Sequence, residues 1–512
     1  MQCVNPQPMR SLLLALGCSC VLVAIFLQIW LINNSLSLEN FLHLAGMMFT
    51  LIGVSFLFPL WESRRHDVLV AVLSARQNYE FRNAIRKSWL KHLKQHPLLS
   101  KRVQVKFIIG AKGCEIPEED REDPYSCKLL NITYSDTGKE IEAVHLPEDS
   151  SAVLSEDAIV SINVRVLYPV IITRLGVFGD GHESGLQRNV TVKLYQSDQE
   201  EALFTARFSP VSAGILVNGL WYKAVEQFIL PKDFEGTVVW ESQDARGLLT
   251  KDLNGVVIND GGGVVTISID EDGSLPNGNE YGKPAVAGGF TYIVHDSDAL
   301  LQHISSSETR FEEHLATLKK EDALLQEESI HNQDIVFVNV VDTYRNIPSK
   351  LLHFYKWSVE HEEFSLLLKT DDDCYIDLEA ILTSAEQKNL ERTNIWWGNF
   401  RLNWAVDLTG KWQEREYPSP VYPAFACGSG YILSGDLIHW LANSFQRLKA
   451  YQGEDVSLGI WMAAVGPQKY QDARWLCEKN CEVGMLSSPQ YSPEELTELW
   501  KRRETCGNPC GC

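Results

Sequence analysis

Asp371-Asp372-Asp373 ends the run Leu366-Leu367-Leu368-Lys369-Thr370, and carboxylates in that setting are suited to one kind of chemistry. The apolar run reads as a buried strand that stops at the acidic triplet. Side chains alternate along an extended backbone, so Asp371 and Asp373 point the same way. Two carboxylates on one face suit a hard divalent cation that also holds a diphosphate, and that cation offsets charge as a nucleoside diphosphate departs. A solvated acidic turn is the alternative reading. Glu454-Asp455 is a second candidate: either an acidic pair at a helix start, favoured by the helix dipole, or a carboxylate that takes a proton from a hydroxyl.

The elements that must position these residues follow an interrupted rhythm. His66–Ala75 reads as a buried strand. A helix follows over Glu80–Lys94 with Phe81, Ile85, Trp89 and Leu93 on one face, and then a second strand over Val103–Gly110. Strand, helix, strand in this order predicts a parallel sheet with crossover helices. From about residue 115 to 297 the pattern changes to short alternating runs, among them Ile159–Val166, Asn189–Tyr195, Ala202–Phe208 and Thr237–Glu241. Clusters rich in Gly, Asp, Asn and Pro separate them, as expected for an antiparallel β-sandwich. A charged amphipathic helix is expected over Thr309–Glu328, with Phe311, Leu315, Leu318 and Leu325 inward. The α/β rhythm resumes at Asp334–Val341 and leads through a helix over Pro348–Val359 to the acidic triplet. The expected architecture is a discontinuous α/β domain, residues 66–114 and 298–512, with a β-sandwich inserted at 115–297 that carries no obvious site of its own.

The formal net charge of −21 argues against nucleic acid as a partner. Leu12–Ile32 is uncharged and long enough to span a bilayer, and Arg10 before it favours a cytoplasmic tail at 1–11. The expectation is an uncleaved signal anchor, a stem over 33–65, and a lumenal body. A second apolar stretch, Phe41–Leu60, complicates that topology; it reads as a weaker span or an interfacial helix. Sequons at Asn33, Asn131 and Asn189 fit a lumenal body. Nine of the 12 cysteines lie after residue 110, which suits an oxidising compartment and disulfides over zinc. Because nine is odd, at least one thiol is free or paired between chains.

Five blocks, in order, resemble the animal β-1,3-glycosyltransferase family. These are Arg82-x3-Arg86-x2-Trp89; Asp334-Ile335 through Asp342-x-Tyr344-x-Asn346; Lys369 to Asp373; Tyr417-Pro418 and Tyr422-Pro423 leading to Gly428-Ser429-Gly430-Tyr431; and Glu454-Asp455-Val456-x2-Gly459. The first departs from the family pattern by having Ser88 where the family has threonine. The segments Trp396–Asp407, Arg121–Leu130 and Gly484–Pro489 resemble a GalNAc-transferring branch of that family, as does the inserted β region; only the first ~60 residues diverge. The resemblance implies a GT-A fold and, with Mn²⁺, inverting transfer of GalNAc from UDP-GalNAc to the 3-OH of a β-linked GlcNAc. The implied acceptor is an O-mannosyl-type glycan such as that of α-dystroglycan, and the implied setting is the endoplasmic reticulum membrane, with the Golgi as alternative.

An inverting transfer is a single displacement that needs a cation on the departing UDP and one carboxylate for the acceptor proton. Asp371 and Asp373 are the candidate metal and diphosphate contacts, with Asp372 in support. Asp455 is the candidate base and Glu454 the fallback. Arg76, Arg82 and Arg86 suit the nucleotide side, because a guanidinium grips phosphate with two parallel bonds, and Lys369, from the block that ends in the acidic triplet, is placed there with them. Gly428 and Gly430 allow close backbone approach, or simply a tight turn. Trp396, Trp397, Trp404 and Trp412 are candidate acceptor platforms, or core. No histidine follows His439, so a further metal ligand would come from elsewhere, Asp472 being one candidate. The competing readings are a lectin-like or chaperone protein with an inactive transferase domain, and the same fold using UDP-Gal or UDP-GlcNAc. A metal-dependent phosphatase lacks the ligand sets such sites need.

Overall fold

The computed structural model describes residues 66–511 apart from 136–137, 148–149, 180–184, 198, 245–246, 270–282, 391–392 and 409. The expected anchor, the stretch Phe41–Leu60 and the sequon at Asn33 lie outside the described residues. Among the described residues no helix is long and apolar enough to cross a membrane.

The central element is a seven-stranded sheet built from both ends of the described chain. Its strands are β1 (His66–Leu73), β2 (Val103–Lys112), β3 (Ile335–Val341), β4 (Phe364–Asp371), β5 (Ile395–Gly398), β6 (Tyr431–Ser434) and β7 (Gln468–Gln471). They lie in the order β3-β2-β1-β4-β6-β5-β7, and only β6 runs against the others. Continuous apolar runs make such strands possible because both faces are covered. Val68, Val70 and Val72 enter one core, and Leu69, Ala71 and Leu73 enter the other. Leu367 in β4 is fully buried, so Leu367→Ala would cost about 2–5 kcal/mol. The helices Leu378–Gln387 and Pro493–Cys506 cover the first face, and Ile347–His361, Gly435–Ser444 and Glu454–Val465 cover the second.

The chain runs outward from β1 to β2 and β3 on one side, then returns to β4 on the other. That reversal opens a crevice beyond the carboxyl ends of β1 and β4, where open α/β sheets bind ligands. Leu73, the last residue of β1, pairs with Asp371, the last residue of β4. The sheet order thus brings the acidic triplet to the crevice.

Between β2 and β3 the chain forms two six-stranded sheets, antiparallel except where Lys283–Pro284 pairs with Ile159–Val166. Residues of both sheets fall into one hydrophobic cluster, and the Trp240 indole N–H of one sheet donates to the Gly176 carbonyl of the other at 2.9 Å. The strand Ile159–Val166 alternates half-buried and buried positions along its whole length, as its sequence predicts.

Two helices differ from expectation. The first is interrupted at Ser88, whose hydroxyl donates to the Ala84 carbonyl at 2.6 Å, and continues as Trp89–Gln95. The long helix runs Ser307–Asn332, but Leu315 is 39% exposed and only Leu325 and Glu328 are buried. Its acidic residues dock it: Glu328 pairs with Arg82 (2.8 Å) and Arg86 (2.5 Å), and Asp322 and Glu321 pair with Arg76. The expected apolar stripe is a minor part of the contact.

Candidate active site

The crevice is a cleft of about 980 Å³ lined by the ends of β1 and β4, the starts of the helices Ile347–His361 and Glu454–Val465, and several irregular segments. It brings together Asp371, Asp372, Asp373, Gly428, Glu454 and Asp455 with Trp404 and Trp412. The two acidic blocks are 83 positions apart in sequence and share one cavity.

Lys369 lies beneath them with no exposed surface. Its ammonium donates to Glu454 Oε1 (2.5 Å) and the Gly428 carbonyl (2.7 Å), and pairs with Asp371 Oδ1 (3.0 Å). Burial disfavours its charged form, but Asp371 and Glu454 outweigh that and hold the lysine charged. It is therefore a link between the two acidic blocks rather than a residue of the cleft wall. Gly428 fits tightly over this link: a Cβ there would come within 2.9 Å of Glu454 Oε1 and 3.4 Å of the lysine nitrogen.

Asp371, Asp373 and Cys374 offer ligand atoms that all lie within 4.8 Å of one another. Burial and the neighbouring Glu454 and Asp373 push the Asp371 carboxyl well above the usual carboxylate range, against the pull of Lys369. Crowded carboxylates of this kind call for a cation, so the donor set fits a divalent metal. Asp372 is buried and set apart from this group. Its Oδ2 accepts from the Asn78 amide at 3.0 Å, and burial pushes it up to about 6, with Ser74 and Asn78 holding it down. Asp455 is pushed up to about 7 by burial and by Glu454, partly offset by Lys369. Burial and the carboxylates of Glu454, Asp455 and Asp371 raise the Tyr344 hydroxyl, which also takes a hydrogen bond from Trp412.

Several residues picked out by type are placed elsewhere. Arg76, Arg82 and Arg86 do not line the cleft, because their guanidiniums are committed. Arg76 donates to the Gly110 carbonyl at 3.1 Å, and Arg82 binds Glu328, Ser74 Oγ and two backbone carbonyls. Arg86 binds Asp334 and Glu328. Trp396 and Trp397 are fully buried on opposite faces of β5 and form core rather than a sugar platform. Gly430 packs against Trp475, whose ring a Cβ would meet at 2.7 Å, and is not in the cleft wall. Asp472 pairs with Arg474 at 2.7 Å and accepts from the Trp397 indole at 3.2 Å, away from the acidic group.

The cleft also holds residues that sequence reasoning did not assign. Asp342 and Lys350 pair at 2.8 Å along one wall, and Lys350 donates to the Ser74 carbonyl at 2.6 Å. Asp342 and Tyr344 belong to a block already singled out, which was the available signal. Arg121 and Tyr125 come from the segment entering the β-rich region, and nothing in their spacing points to the cleft. Of the nine cysteines, Cys114–Cys127, Cys427–Cys477 and Cys481–Cys510 are paired, Cys506 is disulfide-bonded, and Cys374 is a buried free thiol. Asn131 and Asn189 are both exposed.

A sequence profile described as galactosyltransferase matches residues 315–473, a span that holds Asp371–Asp373, Gly428 and Glu454–Asp455. A human protein named UDP-GalNAc:beta-1,3-N-acetylgalactosaminyltransferase 2 is 64% identical over 456 residues, covering 89% of this chain and 91% of its own. A Xenopus tropicalis protein of the same name is 58% identical over 504 residues, 98% of this chain and 99% of its own. Mouse beta-1,3-galactosyltransferase 6 is 34% identical over 181 residues, 34% of this chain and 56% of its own. Identity this high over nearly whole chains, joined to a cleft whose two acidic blocks both fall within the matched span, means that the chain belongs to the galactosyltransferase family of β-1,3-glycosyltransferases.

Proposed function

We propose that the protein transfers N-acetylgalactosamine from UDP-GalNAc to the 3-OH of a terminal β-linked GlcNAc, with inversion at the anomeric carbon. The observation that carries this reading is the meeting of the acidic end of β4 with Glu454-Asp455 in one cleft, at the point where the sheet order reverses. Relatives that share most of this chain carry the GalNAc-transferring name, which supports the choice of donor.

Asp371 and Asp373 would hold the divalent cation, Mn²⁺ by preference, with Cys374 beside them and Asp372 bracing the turn from behind. When bound, the cation supplies positive charge against the diphosphate that leaves. Asp455 accepts the proton of the acceptor hydroxyl as that oxygen bonds to the anomeric carbon and the bond from that carbon to the UDP oxygen breaks. A carboxyl raised to about 7 is well matched to taking a proton near neutral pH. Lys369 holds the Glu454 carboxylate in place beside it at 2.5 Å. Trp404 (43% exposed) and Trp412 (60% exposed) line the cleft and would offer aromatic surface to the acceptor.

We extend the proposal to the rest of the chain. Residues 12–32 anchor the chain in the endoplasmic reticulum membrane with the body in the lumen, where Asn131 and Asn189 accept glycans. Residues 115–297 form an inserted β-sandwich, and the acceptor is an O-mannosyl-type glycan such as that of α-dystroglycan. The test is to offer the protein UDP-GalNAc, UDP-Gal and UDP-GlcNAc separately, with Mn²⁺ and a β-GlcNAc acceptor. Transfer from UDP-GalNAc alone supports the reading. Preference for another donor would change the sugar, and silence with all three on an O-mannosyl acceptor would leave a binding protein.

A further inference from the structure

The segment 399–422 forms one wall of the cleft, through residues that include Trp404, Lys411 and Trp412. Its base packs into the core through Tyr422, but its outer part has little apolar packing: Leu402 is 68% exposed and Leu408 64%. Polar ties hold the tip instead, and most of them lead to the β-rich region.

Arg345 makes the first tie. Its guanidinium donates to the carbonyls of Gly410 (3.3 Å), Lys411 (3.2 Å) and Gln413 (3.1 Å), and through Nε to Asp123 at 2.8 Å. Asp123 sits in the segment that enters the β-rich region, closed by the Cys114–Cys127 disulfide. Glu235 makes the second. It opens the strand Glu235–Ser242, accepts from the Gln413 amide at 3.5 Å and pairs with Arg415. Arg165, on the neighbouring strand, faces Glu235 at 3.5 Å and Glu122 at 3.2 Å, so the two ties join. Inside the loop, Glu414 carries the position inward. Its carboxylate accepts the backbone N–H groups of Tyr417 (3.1 Å) and Gln452 (2.8 Å), the latter two residues before Glu454.

We propose that the β-rich region serves the transfer as a scaffold for the acceptor wall, with Glu235, Arg345 and Arg415 as positioning residues that set acceptor affinity. None of the three lines the cleft. The acidic end of β4 is held by the central sheet and by Lys369 and touches none of the three residues, so donor binding depends on these ties less than acceptor binding does. Ordering the loop before the acceptor arrives removes part of the entropy cost of binding it. The inference rests on the transferase reading above.

The test uses the full-length protein and the variants Arg345→Ala, Glu235→Gln, Arg415→Ala and the last two combined. Acceptor KM should rise on the order of ten-fold for Arg345→Ala, which strips a charged donor from four acceptors. It should rise about three-fold for each of the others, whose ion pair is partly exposed. The combined variant should fall short of the product of the two single changes, because both remove one shared contact. KM for the UDP-sugar and its slow hydrolysis without acceptor should stay within about two-fold, as expected for sites with no shared partners. Hydrogen exchange read without any substrate should quicken over 408–416 and not over β4. Should Arg345→Ala fail to fold, the Glu235 and Arg415 variants decide. Unchanged acceptor KM with unchanged exchange, or a donor KM that rises as much as the acceptor KM, overturns the proposal. A wild-type protein that transfers nothing overturns the transferase reading instead, while the exchange measurement still judges the scaffold.

Discussion

Replacing Lys369 with methionine is the perturbation that most sharply separates a link between two acidic blocks from a ligand contact. The side chain is fully buried, and its ammonium is shared by Glu454 at 2.5 Å, Asp371 at 3.0 Å and the Gly428 carbonyl at 2.7 Å. Methionine fills similar space, so the packing change is small, but two carboxylates lose the charge between them. Removing one partner of a buried pair costs about 3–5 kcal/mol, because the other charge is left uncompensated. The pH dependence follows from the sign of each shift. In the wild type the lysine is raised, so its contribution is present below its unfolded value of about 10.4 and lost only above that, outside the working range. In the variant, Asp371 loses the ammonium that holds it down and is pushed further up, and a carboxylate raised by folding destabilises when ionised. The loss should therefore be largest near pH 8 and shrink toward pH 5, where unfolded carboxyls near 4 begin to keep their protons. Urea unfolding of metal-free protein at both pH values measures it. A loss under about 1 kcal/mol, the range of an exposed pair, would refute the reasoning. So would an equal loss at the two pH values.

Other consequences follow from the same geometry. Because Asp455 is pushed up to about 7 and must be ionised to accept a proton, kcat/KM should rise with pH through about 7; a profile flat from pH 5.5 to 8 would exclude it as the base. Arg82→Ala should cost about 3–5 kcal/mol in denaturant, yet leave KM for the UDP-sugar unchanged in the folded fraction, since Arg82 serves Glu328 and not the cleft. Asp373→Asn should weaken Mn²⁺ binding, followed by calorimetry, by ten-fold or more, as removal of a ligand charge demands, on the order of 1.4 kcal/mol per ten-fold. Trp412→Ala should raise acceptor KM while sparing donor KM; equal effects on both would place that ring on the donor side.

The sheet and its acidic end were legible because both signals are local. β1 and β4 are apolar at every position through their centres, and only a strand covered on both faces tolerates that. Alternation along an extended chain would place Asp371 and Asp373 together, but the strand in fact ends at Asp371, and a turn over 372–373, closed by the Cys374 N–H to the Asp371 carbonyl at 3.2 Å, is what brings the two carboxylates near each other. Partner choice was not legible. An arginine on a helix carries the same letter whether it meets a phosphate or Glu328, and the carboxylates that claim Arg82 and Arg86 lie more than 240 positions away. Trp396 and Trp397 misled for a related reason: adjacent residues on a strand face opposite sides, and here both sides are core. The long helix was read by its leucines, whereas its contact is carried by acids that periodicity counts as solvent-facing. The link from Glu235 to the cleft wall depends on an exposed loop with no periodic signal at all.

The central claim is that two distant acidic blocks form one inverting site. Nuclear magnetic resonance of the product made from UDP-GalNAc and a β-GlcNAc acceptor, by wild type and by Asp455→Asn, tests it most directly. The account predicts a β-linked sugar on the 3-OH from the wild type. From the variant it predicts at least a ~100-fold slower reaction, the usual cost of losing a general base, with UDP binding retained. An α-linked product, or a variant as fast as the wild type, would contradict it.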